Sequence, residues 1–300
     1  MCRFLAYRGS PILINELLYE PRNSLINQSF AAREREEPLN GDGFGIGWYN
    51  PEVSIEPAVF VSITPAWNNR NLRYLAKKLK TPCLFAHVRA ATASDVSEAS
   101  CHPFQFNEML MMHNGDIGGF AHIKRTIQNR LSDTVFNWLK GHTDSEHFFA
   151  LFLDKVIARG RFIEPAGILE ALEETVGDIC ELQRKAHIDE PNYLNVAITD
   201  GWSIVALRCT TDADGDADTL YYSEGSRFTC ESGICRMQQA EASERAVLVV
   251  SEKLTDVRSD WKEIPVNHAL IVREDLNCCV SPLQSISTGL PARPAKPSPG

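Results

Sequence analysis

Long apolar runs are missing from this sequence. The run AVLVV at 246–250 is strand-sized, far short of the ~18 apolar residues that a membrane span requires. An excess of basic residues is missing as well: 30 Lys and Arg stand against 39 Asp and Glu, a formal net charge of −9. A general binder of nucleic acid or anionic lipid needs a basic face, so neither partner is expected. Nine cysteines in 300 residues are an odd number, and no apolar signal segment follows the start. That usage predicts reduced thiols in a cytoplasmic protein rather than a disulfide scaffold.

Several motifs fail on spacing. Glycines at 41, 43, 45 and 47 in NGDGFGIGWY leave Ile46 and Trp48 where a dinucleotide fingerprint needs glycine, and no Gly-Lys-Ser/Thr follows. A strand whose glycines permit close backbone approach fits better. The acidic run TTDADGDAD (210–218) lacks the glycine and glutamate positions of a calcium loop and reads as a solvated hairpin loop. Cys230 and Cys235, and the vicinal Cys278 and Cys279, have no partner pair at zinc-site spacing. Neither metal nor cofactor is expected.

What is present is an ordinary globular composition, 44% hydrophobic and 23% charged, with alternating and helical patterns in a definite order. Strand-like runs lie at 2–7, 44–49, 58–63, 83–89, 109–113, 193–199, 202–209, 219–223, 246–251 and 269–273. Helical spacing appears around 72–79, 148–156 and 168–179. Asp200-Gly201 between two alternating runs predicts an antiparallel hairpin. The pattern is α+β, with layered sheets and helices. Residues 1–275 read as one domain, and 276–300, which include the five prolines of SPLQSISTGLPARPAKPSPG and no acidic residue, read as a disordered tail.

Four stretches carry candidate chemistry. Cys2 in MCRFLAYRG begins an alternating strand, and a cell that removes Met1 leaves a thiol and a free α-amine on one residue, a nucleophile with its own base. LFAHVRAAT (84–92) ends an apolar strand on Arg89 and Thr92. A buried guanidinium there needs an anion, either an acid of this chain or a substrate carboxylate gripped by paired hydrogen bonds. In MLMMHNGDIGG, Asn114-Gly115 is a turn signal and equally a two-donor cradle for an oxyanion. In GHTDSEHFF, Thr143 and Glu146 form a capping box. Asp144 is left to complement the helix dipole or to hold a ligand ammonium.

The early Cys2 with HVRAAT, HNG and TDSE, in that order, resembles the glutaminase domain of class II glutamine amidotransferases, members of the N-terminal nucleophile hydrolases. MCRF, NSLINQSF (23–30), NGDGFGIGWY, ITPAWNNRNL (63–72), CHPF (101–104) and MHNGDIGGF are similar to its stand-alone branch. That branch includes the amidotransferase-like subunit of a fungal glutathione-degrading complex and a bacterial γ-glutamyl hydrolase of ergothioneine synthesis. SEKLTD (251–256) departs from the branch at Lys253, in what reads as a late loop away from the chemistry, and Asp116 follows the HNG as a variable neighbour.

The resemblance implies a four-layer αββα fold with two stacked, mainly antiparallel sheets. It implies hydrolysis of a γ-glutamyl amide, in glutamine or in a γ-glutamyl peptide or thiol such as glutathione or an ergothioneine precursor, through a Cys2 thioester. Cys2 would be the nucleophile, Asn114 and Gly115 the oxyanion hole, Arg89 with Thr92 the carboxylate site and Asp144 the ammonium site. Two other readings stand beside it. One is a glutaminase subunit serving a separate synthase or working with a peptidase-like partner; the other, from a different class, is an idle scaffold or a thiol or metal-binding regulator.

Overall fold

The alternation of residues 2–7 divides two hydrophobic cores. In the computed structural model, which describes residues 2–34, 39–90, 96–160, 164–212, 215, 217–225, 227–231, 234–238 and 245–284, this stretch opens an eleven-residue strand, β1 (Arg3–Leu13). Next along the chain come α1 (Ile14–Leu18), α2 (Leu25–Ala31), β2 (Phe44–Asn50), β3 (Ser54–Ser62), α3 (Arg70–Ala76), β4 (Lys80–Val88), β5 (Phe104–Phe106) and β6 (Met109–Asp116). Four helices follow: α4 (Phe120–Arg130), α5 (Asp133–Trp138), α6 (Asp144–Arg159) and α7 (Pro165–Lys185). The remainder is strands: β7 (Tyr193–Thr199), β8 (Ile204–Thr210), β9 (Tyr221–Gly225), β10 (Arg227–Glu231), β11 (Ile234–Gln238), β12 (Ala246–Val250), β13 (Lys262–Glu263), β14 (His268–Val272) and β15 (Cys278–Pro282).

A seven-stranded sheet runs β13-β9-β12-β1-β4-β2-β3 and a six-stranded sheet runs β15-β14-β8-β7-β6-β5. Their pairings are antiparallel. Phe4 and Ala6 of β1, with Phe85 of β4, face Leu110 and Met112 of β6 in the layer between the sheets. Leu5 and Tyr7, pointing the other way, pack with Leu17, Leu25 and Leu72 from α1, α2 and α3. The second sheet turns Met111, Val196 and Leu207 toward Phe148, Phe152, Leu172 and Ile179 of α6 and α7. This is the αββα order, two helical layers around two stacked sheets. Among the described residues no helix is long and apolar enough to cross a membrane.

The glycines of β2 have the purpose expected of them. A Cβ on Gly45 would lie 2.2 Å from the carbonyl oxygen of His102 and one on Gly47 would lie 2.6 Å from Leu110, so the bare backbone is what lets the second sheet come this close. The β7–β8 hairpin forms as expected, with Asp200 Oδ1 accepting from the backbone N–H of Trp202 (2.9 Å) and Ser203 (2.7 Å).

Other expectations change. β8 and β9 lie in different sheets, so the acidic stretch joins sheets and is not a hairpin loop. Residues 213, 214 and 216 within it lie outside the described residues. Cys235 is disulfide-bonded, an exception to the reduced thiols expected from composition, and its register partner across the β10–β11 hairpin is position 230. Past residue 275, β15 pairs with β14 and Leu283 is buried. The folded body therefore continues through residue 284, because Val280 and Leu283 find apolar partners that the prolines around them obscure; residues 285–300 lie outside the described residues.

Between the sheets sits a buried histidine pair, His87 and His102, with ring centroids 4.3 Å apart. His87 Nε2 is 3.2 Å from the carbonyl oxygen of His113. A carbonyl only accepts, so this nitrogen carries the proton. Burial pushes the His87 pKa down to about 3 and holds His102 well below the ordinary histidine range. Folding keeps both neutral, whereas the unfolded chain protonates them below pH ~6.5. Stability is therefore lost as pH falls from about 6.5 toward the folded value. Denaturant unfolding at pH 7 and pH 5 should show a loss of about 2 kcal/mol from His87 and a further loss from His102 that disappears when His102 is replaced by Phe; equal stability at the two pH values would contradict it.

Candidate active site

β1 lies between β12 and β4, and its pairing with β4 begins at Arg3 opposite Val88. Cys2 therefore sits at the mouth of the central strands, level with the chain just past β4. Its thiol meets the backbone of Ala90 there: Sγ accepts from the Ala90 N–H at 3.4 Å and lies 3.6 Å from the Ala90 carbonyl oxygen. Burial pushes the thiol pKa up, opposed by the Ala90 hydrogen bond and by the positive charges of Arg89 and Arg3. The net direction is upward, so the resting sulfur at neutral pH is a thiol whose proton needs an acceptor.

Arg89 immediately precedes that contact and is 4% exposed. Its backbone is clamped to the loop before β2: Arg89 N–H donates to the Gly43 carbonyl at 2.9 Å and the Arg89 carbonyl accepts from the Asp42 N–H at 3.0 Å. Nη1 lies 3.5 Å from the Asp42 carbonyl oxygen. Thr92 lies outside the described residues.

The facing sheet brings Asn114 and Gly115 on β6. Alternation puts Leu110 and Met112 between the sheets, and Asn114 shares their parity. It is 1% exposed, yet neither Nδ2 nor Oδ1 has a hydrogen-bond partner among the described residues. A buried carboxamide left unpaired is costly, on the order of 1–3 kcal/mol, which makes Asn114 a candidate ligand-binding group. Gly115 has φ +141°, and a Cβ there would fall 1.9 Å from the Tyr193 carbonyl oxygen. Only glycine fits.

His113 ties these pieces together. Its carbonyl receives the His87 proton from the other sheet. Its ring Nε2 lies 3.2 Å from the Tyr193 carbonyl and its Nδ1 lies 2.8 Å from Ser145 Oγ. The carbonyl fixes Nε2 as a donor, while Ser145 Oγ lies between His113 Nδ1 and Asp144 Oδ1, 3.3 Å from the carboxylate oxygen. Asp144, the first residue of α6, takes Ile117 N–H at Oδ2 (2.9 Å) and, at Oδ1, Ser145 N–H (2.8 Å) together with the Ser145 hydroxyl (3.3 Å). Thr143 caps α6 as expected, accepting from Glu146 N–H at 3.2 Å. Glu146 departs from the capping-box geometry. Its carboxylate accepts from Lys140 and Gly141 N–H instead, holding the loop before the helix.

Cys2 and Arg89 thus stand at the end of one sheet, Asn114 and Gly115 at the end of the other, and Asp144 is joined to the latter through Ser145 and His113. One group escaped sequence reading. Arg3 and Glu252, 3% and 0% exposed, form a buried ion pair with Nε to Oε1 at 2.7 Å. Glu252 Oε2 also accepts from Arg33 N–H at 3.1 Å, and Asn23 Nδ2 donates to the Lys253 carbonyl at 2.8 Å. The SEKLTD stretch, read as remote from the chemistry, borders the residue next to Cys2. A charged residue directly after Cys2 in an inward-facing strand was the available clue. Lys253 itself lies with Nζ 4.4 Å from the Tyr221 ring centroid.

Comparison with known proteins identifies the family. The chain matches the model of glutamine amidotransferases class-II over residues 20–289. It is 39% identical over 295 residues to the probable glutamine amidotransferase DUG3 of Saccharomyces cerevisiae, covering 91% of this chain and 82% of that protein. Over 285 residues it is 27% identical to the gamma-glutamyl-hercynylcysteine sulfoxide hydrolase of Mycolicibacterium smegmatis, covering 94% of this chain and 100% of that protein. Among solved structures, a glutamine aminotransferase class-II domain protein from Silicibacter pomeroyi superposes with TM-score 0.65 at 23% identity, over 94% of this chain and 99% of the other. Glutamine phosphoribosylpyrophosphate amidotransferase from B. subtilis does so with TM-score 0.60 at 14% identity, over 94% of this chain and 49% of the other. At these identities the structural likeness speaks for the fold of two stacked antiparallel sheets, and the family match carries the rest: the chain belongs to the class-II glutamine amidotransferases.

Proposed function

We propose that this protein hydrolyses a γ-glutamyl amide with Cys2 as nucleophile, and that the orphaned carboxamide of Asn114 is the observation that carries the reading. Removal of Met1 converts the Cys2 nitrogen from a peptide nitrogen to an amine. That amine takes the thiol proton, a transfer suited to groups whose ordinary pKa values are ~8.5 and ~7.7–8.0. Sulfur adds to the γ-carbonyl carbon, and the oxyanion formed is met by Asn114 Nδ2 and the Gly115 N–H. Collapse breaks the C–N bond, the leaving amine takes the proton from the α-ammonium, and water then cleaves the thioester.

Substrate orientation needs a cation and an anion at fixed distance from the thiol. Arg89 suits the α-carboxylate, with Thr92 assigned beside it by family resemblance, and Asp144 suits the α-ammonium. The Mycolicibacterium relative is by name a hydrolase of a γ-glutamyl compound, which favours a γ-glutamyl peptide or thiol over glutamine alone. The substrate is a small molecule and the setting is cytoplasmic. A synthase or peptidase-like partner belongs to the second reading, favoured by the relative described as a probable glutamine amidotransferase.

Three outcomes check this. Cys2→Ala should abolish turnover and retain substrate binding by calorimetry, and full turnover would refute the nucleophile. Asn114→Ala should lower kcat by a factor corresponding to about 3 kcal/mol, as removal of an oxyanion donor does. Processed protein, verified by intact mass, should show a higher kcat/KM for glutathione or another γ-glutamyl compound than for glutamine. Ammonia release from glutamine that rises on adding a partner would favour the glutaminase-subunit reading instead.

A further inference from the structure

The nucleophile stands outside the strand pairing that begins at Arg3, so something other than the sheet must fix its backbone. The bond that does so comes from the adjacent side chain: Arg3 Nη1 donates to the Cys2 carbonyl oxygen at 2.9 Å. The same guanidinium gives Nε to Glu252 Oε1 at 2.7 Å. Glu252 is itself held, since Ser251 makes two hydrogen bonds with Phe4, its N–H donating to the Phe4 carbonyl and its Oγ accepting from the Phe4 N–H, each 3.1 Å. Glu252 also accepts from Arg33 and Glu34 N–H at 3.1 and 3.3 Å. The carboxylate thus cannot follow a moving arginine.

Stability alone is a weak reason for such a pair. Desolvation of two charges offsets most of their attraction, and apolar side chains of similar volume often serve the fold as well. What apolar side chains cannot do is hold a carbonyl. A planar guanidinium presents donors in two fixed directions, one for the anchor and one for Cys2, whereas an ammonium is a single point on a flexible stem. We infer that the Arg3–Glu252 pair is a positioning device that sets the orientation of Cys2, and through it the approach of Sγ to the γ-carbonyl. This rests on Cys2 being the nucleophile. Arg3 is a positioning residue because it acts through Cys2.

The test uses 6-diazo-5-oxo-L-norleucine, a glutamine analogue whose protonated diazoketone loses dinitrogen as a thiolate bonds to its methylene carbon. Saturation of the labelling rate separates binding from attack. Wild type, Arg3→Lys and the double variant Arg3→Met, Glu252→Leu are compared with Met1 removal checked by intact mass and folding checked by circular dichroism. The expected result is half-saturation within about threefold of wild type and a maximal labelling rate at least about tenfold lower in both variants, in keeping with the roughly 10²-fold cost of a 1 Å misplacement. Should the lysine variant fail to fold, the volume-matched double variant decides alone. A folded variant labelled within twofold of the wild-type maximal rate overturns the inference, and so does failure of both variants to fold, which assigns the pair to stability. Wild type that is not labelled at Cys2 removes the nucleophile reading itself and this inference with it.

Discussion

Every distance at the site depends on the register in which β1 lies against β4. Pairing Arg3 with Val88 and Phe4 with His87 brings Cys2 level with Arg89 and Ala90, at the end of the sheet's central strands. A slip of one residue would exchange the two faces of β1, moving Leu5 and Tyr7 between the sheets and turning Cys2 toward the helices. Over residues 3–7 both faces of β1 are buried, one against α1 to α3 and one against the second sheet. That double burial makes the slip expensive, and the site inherits its rigidity from the core.

The second sheet is referenced to the first by polar contacts as well as packing. The His87 proton on the His113 carbonyl crosses the gap immediately before Asn114, and the His113 ring continues to Ser145 beside Asp144. Asp144 is therefore tied through Ser145 and the His113 ring to the strand that carries Asn114, and that strand is tied to the first sheet through His87. Under the proposed mechanism such ties fix the backbone that carries the donors before substrate arrives, the preorganisation on which electrostatic catalysis depends.

The layered α+β class, the central strands and the two long helices were legible because their apolar periodicities are strong. The helices α1, α2 and α5 were not, since one or two turns hold too few apolar positions to define a face, and the eleven residues of α4 bury only Ile123 and Ile127. β15 was hidden among prolines for a related reason. At the site, individual residues remained ambiguous: Asn114-Gly115 reads equally as a turn, and Asp144 equally as a dipole-complementing first-turn residue. Only the combination of motifs, which resembles a family, separated these readings. Arg3 and Glu252 were illegible for a different reason. They are 249 positions apart in the chain, and nothing local tells two buried charges that they will meet.

The unpaired carboxamide of Asn114 also has a bearing on engineering. Any procedure that ranks substitutions by the stability of the unliganded fold will favour replacing a buried, unbonded asparagine with an apolar residue of its size. The gain would be genuine, and under the proposed mechanism it would be drawn from a side chain whose unmet hydrogen bonds serve the reacting carbonyl. If the proposed mechanism holds, stability-guided redesign of this scaffold has to keep position 114 fixed, because there a cost to the empty fold is a gain for the chemistry.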